Sequence, residues 1–369
     1  EALEWVKWSI DNQRSDGYFG PATEDSWWSR MPMLCAIRDF YEAVDAKPES
    51  ERTEMERVYY GKVLDFLERY FRYQEKELPR RPLSNWADAR GGDNLEVVYW
   101  FYNKRYDAQN PSATDWLISL GELIYSQTQN WEDIYNNSTV RQHVVNTSQG
   151  MKTPAVYAQY KADKKYRDAL ANGIDHMGID HGRIDGLPNS DEAARDNRST
   201  RGSETCGTVE GLMSTEIAMK IIGEPWMGDR LETLAYNALP AAYPSDYSGH
   251  TYYILQNQVV DTLGNHEFDC DHGDSSAFGA PLGFDCCFAN NHMGWAKFVQ
   301  NMWMATAEGG LALTAYGPNH VTAKVAGGKT AKFQQETDYP FRDTVNLIYY
   351  GEDAEFDLKL RIPEWAKTA

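Results

Sequence analysis

The period of the hydrophobic pattern changes once along the chain, near Thr306, and this change limits the possible folds more than any other feature. Up to about residue 305, apolar residues recur at helical spacing, and short clusters of Gly, Pro, Asn and Asp separate the segments. Beyond Thr306, apolar and polar residues alternate, as in the run Phe356-Asp-Leu-Lys-Leu-Arg-Ile, which is typical of half-buried strands. We therefore predict a helical domain over residues 1–305 and a β domain over residues 306–369.

The helical part contains a long series of predicted helices. Successive helices of this kind pair as antiparallel hairpins, which can assemble into a bundle, a solenoid or a closed double-layered α/α barrel. No fixed repeat period indicates a solenoid array, and a barrel suits an enzyme best. We place the helices at residues 1–13, 27–45, 49–78, 93–105, 112–135, 141–161, 164–180, 203–222, 225–241 and 287–305.

The β part reaches Ala369 without a closing strand. We therefore expect it to be the start of a β-sandwich. The sequence leaves open whether the chain is a fragment of a longer protein with further β domains.

The balance of charge excludes one class of partner. The formal net charge is −19 at pH 7, whereas binding to nucleic acid needs clustered Lys and Arg. No run of about 18 apolar residues is present, so we expect a soluble protein with no membrane partner. The 12 Trp and 23 Tyr side chains have flat apolar faces with polar edges. Such faces suit sugar rings, although most of these residues are expected to fill the core.

Two short segments supply side chains that zinc prefers. Ser203-Glu204-Thr205-Cys206-Gly207 and Phe284-Asp285-Cys286-Cys287-Phe288 together provide three thiols and one carboxylate, which is a complete tetrahedral set. Residues two apart do not share a face of a helix, so Glu204 and Cys206 can bind one ion only from the turn that enters the following helix. The same condition applies to Cys286 and Cys287. The alternative is that this adjacent pair is buried as small apolar residues or arose by chance.

A second acidic segment lies just before the first of these motifs. Asn189-Ser190-Asp191-Glu192 contains two carboxylates that are candidates for proton transfer. Glycosidases ordinarily use one group that protonates the leaving oxygen and another that acts on the anomeric carbon. In so acidic a protein, however, a pair of carboxylates in a loop is by default solvated surface. The spacing alone therefore does not select Glu192.

Several runs resemble the β-L-arabinofuranosidase family, glycoside hydrolase family 127. The resemblance extends through nearly the whole chain, and its most specific marks are the Glu-x-Cys and Cys-Cys motifs. It implies an (α/α)6 barrel followed by β-sandwich modules. The runs are RSDGYFGP, ARGGDNLEVVYW, HVVNTSQGMKTPAVY, NSDEAARD, GSETCGTVE, FDCCFANNHMGWAKFVQNMWMA, GGLALTAYGP and LRIPEWA.

The resemblance also implies a role for individual residues. By it, Cys286 is the nucleophile and Glu192 the acid/base, while His143 and Glu232 fall in segments that resemble substrate-binding positions. The zinc ligands that it implies are Glu204, Cys206, Cys286 and Cys287. Because a thiolate attacks and a metal keeps cysteine deprotonated, zinc would hold Cys286 ready to react. The implied activity is retaining hydrolysis that releases a pentofuranose, β-L-arabinofuranose, from plant-type glycans.

Three other interpretations remain open at this stage. Helical double-layered barrels also host sugar epimerases and unsaturated uronyl hydrolases, which use His or Asp instead of a thiolate. Zinc could activate water directly, although four protein ligands would leave no open position for that water. The chain could also be a non-catalytic carbohydrate-binding protein with a structural zinc.

The expected partner is an oligosaccharide or glycan substrate. A homodimer is one oligomeric state that the sequence leaves open. The sequence does not decide between a cytoplasmic and a periplasmic location, because zinc ligation protects thiols in either compartment.

Overall fold

We describe a computed structural model of the chain. It describes residues 2–21, 26–137, 140–182, 184–194, 196–256, 258–266, 268, 270, 273–279 and 285–366. The chain divides into two compact units, of which the first comprises Glu1–Ile134 with Thr153–Ala169 and the second comprises Tyr135–Lys152 with Leu170–Ala369.

Fourteen α-helices are present within the described ranges. They are α1 (Ala2–Asp11), α2 (Met31–Asp45), α3 (Glu54–Glu77), α4 (Trp86–Ala89), α5 (Gly91–Arg105), α6 (Asp115–Gln127), α7 (Trp131–Asn137), α8 (Val144–Gly150), α9 (Lys152–Ala158), α10 (Lys164–His181), α11 (Thr205–Ile222), α12 (Trp226–Thr233), α13 (Asp285–Asn290) and α14 (His292–Gln300). No helix among the described residues combines the length and the apolar character that crossing a membrane requires.

The first unit is built from amphipathic helices around an aromatic core. Helix α3 begins with a capping box in which Thr53 and Glu56 satisfy each other's backbone N–H groups. Its inward face buries Phe66 and Tyr70. Helices α5 and α6 pack closely because Gly121 has no side chain, and a Cβ atom there would lie 2.5 Å from the ring of Tyr99.

Helix α11 forms the centre of the second unit. Nearly every residue from Thr205 to Met219 is buried, so this helix is surrounded on all sides instead of presenting one apolar stripe. Gly207 lets helix α8 approach, because a Cβ atom there would lie 3.2 Å from Val144. The helix ends at Ile222 and is capped by Gly223, whose positive φ of 77° is the left-handed conformation that glycine adopts without strain.

A small four-stranded sheet combines three strands that precede α11 in the sequence with one that follows it. Its strands are β1 (Ser190–Asp191), β2 (Ala193–Ala194), β3 (Ser203–Glu204) and β4 (Tyr253–Ile254), in the order β2-β1-β3-β4. The pairing of β3 with β4 places Glu204 opposite Tyr253. Residues far apart in the sequence are thereby brought to the start of α11.

Two three-stranded sheets make up the C-terminal part. The first has the order β10-β6-β5 and the second β7-β8-β9. Alternating burial along β8 places Ala331, Phe333 and Gln335 inside, as the period-two pattern predicts. The strands are β5 (Trp303–Ala305), β6 (Leu311–Leu313), β7 (Asn319–Val325), β8 (Lys329–Thr337), β9 (Val345–Tyr349) and β10 (Leu358–Leu360).

Some predicted helix boundaries are wrong. The helix predicted over 112–135 is two helices, α6 and α7, and the one over 141–161 is α8 and α9. Pro154 explains the second break, because proline lacks an N–H group and is accepted in the first turn of a new helix. The helix predicted to reach residue 305 ends at Gln300, and β5 follows it. The predicted domain boundary at residue 305 stays a prediction.

Candidate active site

Glu204 and Cys206 lie where β3 passes into α11. Glu204 is the N-cap residue, with extended backbone angles, and Cys206 is the second residue of the helix. Thr205 fixes this turn, because its N–H group donates to the carbonyl of Tyr252 (2.9 Å) and its hydroxyl donates to that of Thr251 (2.8 Å). This is the turn in which the sequence required Glu204 and Cys206 to lie if both were to bind one ion.

Cys286 and Cys287 occupy the first turn of α13. Cys287 is fully buried among Val144, Cys206 and Tyr253, whereas Cys286 is exposed. The carbonyl of Cys287 accepts the N–H of Asn291 (2.9 Å), which holds the end of the short helix. Both pairs of candidate ligands therefore lie at the start of a helix, where adjacent side chains can turn towards one point.

The four candidate ligands converge. One atom each of Glu204, Cys206, Cys286 and Cys287 lies within 4.8 Å of the others, and we call this set the four-ligand cluster. The sulfurs of Cys206 and Cys287 are 3.1 Å apart, and an oxygen of Glu204 is 3.8 Å from the sulfur of Cys286 and 3.9 Å from that of Cys287. A tetrahedron with Zn–S bonds of about 2.3 Å has edges of about 3.8 Å. The two distances from Glu204 match this edge and the distance between the sulfurs of Cys206 and Cys287 is shorter than it, while the donor set of three thiols and one carboxylate is one that zinc accepts.

The three thiols of this cluster differ in acidity. Hydrogen bonds from Cys206 and Cys287 to Cys286 lower the pKa of Cys286 to about 2. The bond to Cys286 raises the pKa of Cys206 well above its usual value, and burial does the same for the pKa of Cys287. The exposed sulfur is therefore the one that most readily becomes a thiolate.

Glu192 lies beside this cluster, at the turn between β1 and β2. Its backbone has a φ of 72°, a left-handed conformation that is uncommon for a residue with a side chain. Its carboxylate is 3.0 Å from Nε2 of His143, accepts a hydrogen bond of 2.9 Å from Tyr253 and accepts another from Tyr252. The N–H of Val144 donates to the carbonyl of Glu192 (2.7 Å), so the backbone beside His143 is attached to the same turn.

Burial and hydrogen bonding act in opposite directions on Glu192. Burial raises the pKa of this carboxyl, but the hydrogen bonds from His143, Tyr252 and Tyr253 outweigh burial and leave the pKa below its usual value. The free protein therefore holds Glu192 as a carboxylate.

The two carboxylates of the acidic segment have different surroundings. Asp191 is buried, pairs with Arg201 (2.8 Å) and accepts the N–H of Gly202 (2.6 Å). These contacts hold the loop that leads into β3. Asp191 is thus used in the structure of the loop, whereas Glu192 faces the cluster.

Glu204 belongs to two groups at once. It is a member of the four-ligand cluster, and together with His143 and Glu192 it forms a second set whose ligand atoms lie within 4.8 Å of one another. Nε2 of His143 is 3.7 Å from one oxygen of Glu204. The candidate nucleophile and the candidate acid/base are therefore linked through one buried side chain.

Tyr252 and Tyr253 are site residues that the sequence did not reveal. They lie in the stretch His250-Thr-Tyr-Tyr-Ile, which carries no motif. Tyr253 begins β4, which pairs with β3, and Tyr252 directly precedes that strand. Two neighbouring tyrosines in a strand ordinarily point to opposite faces. Here both hydroxyls reach one oxygen of Glu192.

Glu232, predicted to bind substrate, makes its contacts with other residues. Its carboxylate pairs with Arg361, accepts a hydrogen bond from Tyr339 and accepts the N–H of Tyr316 (2.8 Å). None of these described contacts involves the four-ligand cluster or Glu192. The substrate-binding role of Glu232 stays a prediction.

Comparison with known families agrees with the motifs of the site. Residues 2–300 match the family described as "Beta-L-arabinofuranosidase, GH127 catalytic domain". The chain belongs to glycoside hydrolase family 127. Residues 310–369 match the middle domain of the same family. No curated protein matches the chain.

Solved structures of family 127 share the fold. A GH127 β-L-arabinofuranosidase from Geobacillus stearothermophilus T6 has a TM-score of 0.64 at 16% identity over 99% of this chain and 64% of its own. A structure described as a glycoside hydrolase has a TM-score of 0.66 at 15% identity over 98% of this chain and 61% of its own. A GH127 β-arabinofuranosidase has a TM-score of 0.52 at 16% identity over 99% of this chain and 66% of its own.

This likeness confirms the predicted fold class, a mainly α protein of the α/α-barrel type with β-sheets at its C-terminal end. The chain spans 61% to 66% of the length of these three structures.

Proposed function

We propose that this chain carries the catalytic site of a retaining glycoside hydrolase that releases β-L-arabinofuranose from plant-type glycans. Cys286 is the nucleophile and Glu192 the acid/base in this proposal. The observation that carries it is the convergence of one carboxylate and three thiols beside Glu192, with a single thiol exposed.

The metal in this proposal is zinc, held by the four-ligand cluster. Three sulfur donors favour zinc over magnesium or calcium, which prefer oxygen ligands. Bound there, zinc would keep the thiols deprotonated at neutral pH. Four protein ligands complete a tetrahedral site, which argues against a mechanism in which the metal activates water.

The exposure of the thiols supports Cys286 as the nucleophile. Cys206 and Cys287 are 2% and 0% exposed, so a sugar cannot approach their sulfur atoms, whereas Cys286 is accessible. In the first step the sulfur of Cys286 bonds to the anomeric carbon while the glycosidic C–O bond breaks. The departing oxygen takes a proton from Glu192, and a glycosyl thioether forms.

The second step returns the protein to its starting state. Glu192, now a carboxylate, removes a proton from a water molecule that attacks the anomeric carbon. The C–S bond breaks, Cys286 leaves as a thiolate, and two inversions give net retention. The carboxylate form that this step uses is the one that His143, Tyr252 and Tyr253 stabilise.

The first step needs the protonated form of Glu192. A sugar that covers the site removes water from Glu192, and this desolvation raises the pKa of a carboxyl. Nε2 of His143 lies 3.0 Å from the carboxylate of Glu192, and in this proposal the ring of His143 also contacts a sugar hydroxyl.

The choice of sugar rests on the family. Two of the similar structures are described as a β-L-arabinofuranosidase and a β-arabinofuranosidase. An epimerase or an unsaturated uronyl hydrolase would have no use for three thiols around a carboxylate. A non-catalytic protein with a structural zinc would not need Glu192 beside the metal ligands.

The proposal is tested with a panel of aryl furanosides and pyranosides, assayed with zinc and a reductant. We expect hydrolysis of the β-L-arabinofuranoside, total loss of turnover in Cys286→Ser, and near-normal turnover in Cys35→Ser, which changes a thiol outside the cluster. A thiol-reactive arabinofuranosyl analogue should add one label, located on Cys286 by peptide mass spectrometry. Full turnover by Cys286→Ser would refute the nucleophile assignment.

A further inference from the structure

We propose that the hydrogen bond between Glu210 and Asn290 positions the two halves of the four-ligand cluster relative to each other. The amide of Asn290 donates to a carboxylate oxygen of Glu210 at 3.2 Å. This inference rests on the proposed function, because it concerns how the zinc site keeps its geometry. Glu210 and Asn290 are positioning residues that need not touch zinc or substrate.

The spacing along the two helices carries the argument. Glu210 is four residues after Cys206 in α11, and Asn290 is four residues after Cys286 in α13. Residues four apart lie on the same face of a helix, one turn of about 5.4 Å further along. The Glu210–Asn290 bond therefore joins α11 and α13 one turn beyond the sulfur atoms.

A second connection between α11 and α13 limits the rotation of one helix relative to the other that a single connection would permit. If the cluster were the only link, α13 could pivot about its sulfur atoms and change their separation. A zinc site tolerates deviations of only about 0.2 Å in its bond lengths. A connection one turn away removes this freedom, and it does so before any metal binds.

The surroundings of Glu210 make the bond costly to break. Glu210 is buried at 6% exposure on α11, a helix that is buried over most of its length. A buried carboxylate that loses a hydrogen bond keeps its desolvation penalty without the compensation. The pair is therefore expected to hold its geometry firmly.

The same helix offers a matched control. Glu216 is also a buried glutamate side chain of α11, and it accepts a hydrogen bond of 3.0 Å from the amide of Asn301. Asn301 follows α14 and has no cluster ligand on its own helix. Losing the Glu216–Asn301 bond thus removes a buried hydrogen bond from asparagine to glutamate on the same helix, but one that is not directly linked to Cys286 or Cys287.

The first experiment measures metal affinity in the full chain. Cobalt(II) reports thiolate ligation by a charge-transfer absorption, and zinc affinity follows from competition with a chromophoric chelator. We expect Glu210→Ala to weaken zinc binding by about 10- to 100-fold, the range for residues that orient metal ligands. Glu216→Ala should bind zinc nearly as tightly as the wild type.

The second experiment exchanges donor and acceptor. Asn290→Asp places two carboxylates against each other and should weaken zinc binding strongly. Adding Glu210→Gln supplies an amide donor to the new carboxylate, restores the bond and leaves the net charge as in the wild type. The double variant should therefore recover most of the lost affinity and the cobalt absorption, and its volume is nearly that of the native pair.

The outcomes separate this inference from the proposed function. If wild-type protein shows no thiolate absorption with cobalt, the metal centre itself is wrong and the inference falls with it. If the wild type binds metal but Glu210→Ala and Glu216→Ala bind it equally well, only the positioning role is wrong. The positioning role is also wrong if the double variant Glu210→Gln with Asn290→Asp binds zinc no more tightly than Asn290→Asp alone.

Discussion

The sulfur atoms of Cys206 and Cys287 lie 3.1 Å apart, although the two cysteines are 81 positions apart in the sequence. Both side chains are buried against Val144 and Tyr253, so the packing of α11 against α13 imposes this distance. A third thiol and the carboxylate of Glu204 share the same small volume. So many acidic groups can lie together only if protons or a cation neutralise them.

Removing the metal should therefore destabilise the protein as well as inactivate it. A ligand at 100 times its Kd adds about 2.7 kcal/mol to the free energy of unfolding. We expect a chelator to lower the Tm and added zinc to restore it, whereas magnesium should not, because it prefers oxygen ligands. Calorimetry with and without chelator measures this effect. A Cys287→Ala variant serves as the control and should show no response to zinc.

Replacing the tyrosines that contact Glu192 should shift the pH profile. Hydrogen bonds from Tyr252 and Tyr253 lower the pKa of Glu192, so Tyr252→Phe should raise that pKa. The acid form then persists to higher pH, and the alkaline limb of kcat/KM should move upward by about one pH unit for each 1.4 kcal/mol lost. Tyr243→Phe is the control, because the Tyr243 hydroxyl donates to the carbonyl of Asn291 instead (3.1 Å). Identical profiles in all three proteins would contradict the prediction.

Glu216 should make the stability of the protein depend on pH. Burial raises the pKa of Glu216 to about 8 from 4.5. Between these values the folded protein holds a proton that the unfolded chain releases. Stability from this group is therefore complete below pH 4.5 and falls by about 1.4 kcal/mol per pH unit as the pH rises towards 8.

The variant Glu216→Gln removes this titration. We expect the free energy of unfolding of the variant, relative to the wild type, to increase between pH 5 and pH 8 in denaturant titrations with zinc saturating. All other titrating groups are common to both proteins and cancel in the difference. A difference that stays constant with pH would show that Glu216 has an ordinary pKa.

Replacing Glu232 with alanine should destabilise the protein, because its carboxylate is paired with Arg361. Glu232 and Arg361 have side chains that are 7% and 3% exposed. Glu232→Ala leaves Arg361 without one of its carboxylate partners, and breaking a buried ion pair costs about 3–5 kcal/mol. Glu308→Ala, at the exposed pair with Lys359, should change stability little. Unchanged stability of Glu232→Ala with a raised KM would instead support substrate binding.

The sequence predicted the parts of the site that depend on local structure. Glu204 and Cys206 are two residues apart, and the N-terminal turn of a helix is the local geometry that lets both reach one point. The fold class also followed from the sequence, because the change of hydrophobic period at Thr306 reflects the burial of each element.

Features that depend on long-range pairing could not be predicted. The hydroxyls of Tyr252 and Tyr253 reach Glu192 through a sheet whose strands are two residues long, too short to leave a periodic signal. Glu192 was selected over Asp191 by family resemblance alone. The contacts with Arg201 that distinguish Asp191 exist only in the folded loop.

Glu204 belongs both to the four-ligand cluster and to the group that it forms with His143 and Glu192. Its identity therefore affects metal affinity and the surroundings of the proton-transferring residues together, so evolution cannot tune the two separately. A fourth cysteine at this position would give an all-sulfur centre with greater affinity for soft metals, yet it would remove the carboxylate that lies 3.7 Å from His143. Any change that adapts the protein to metal scarcity would therefore alter the electrostatic field around the proton-transferring pair. Among the three ligands that are not the nucleophile, Glu204 should be the one that tolerates replacement least.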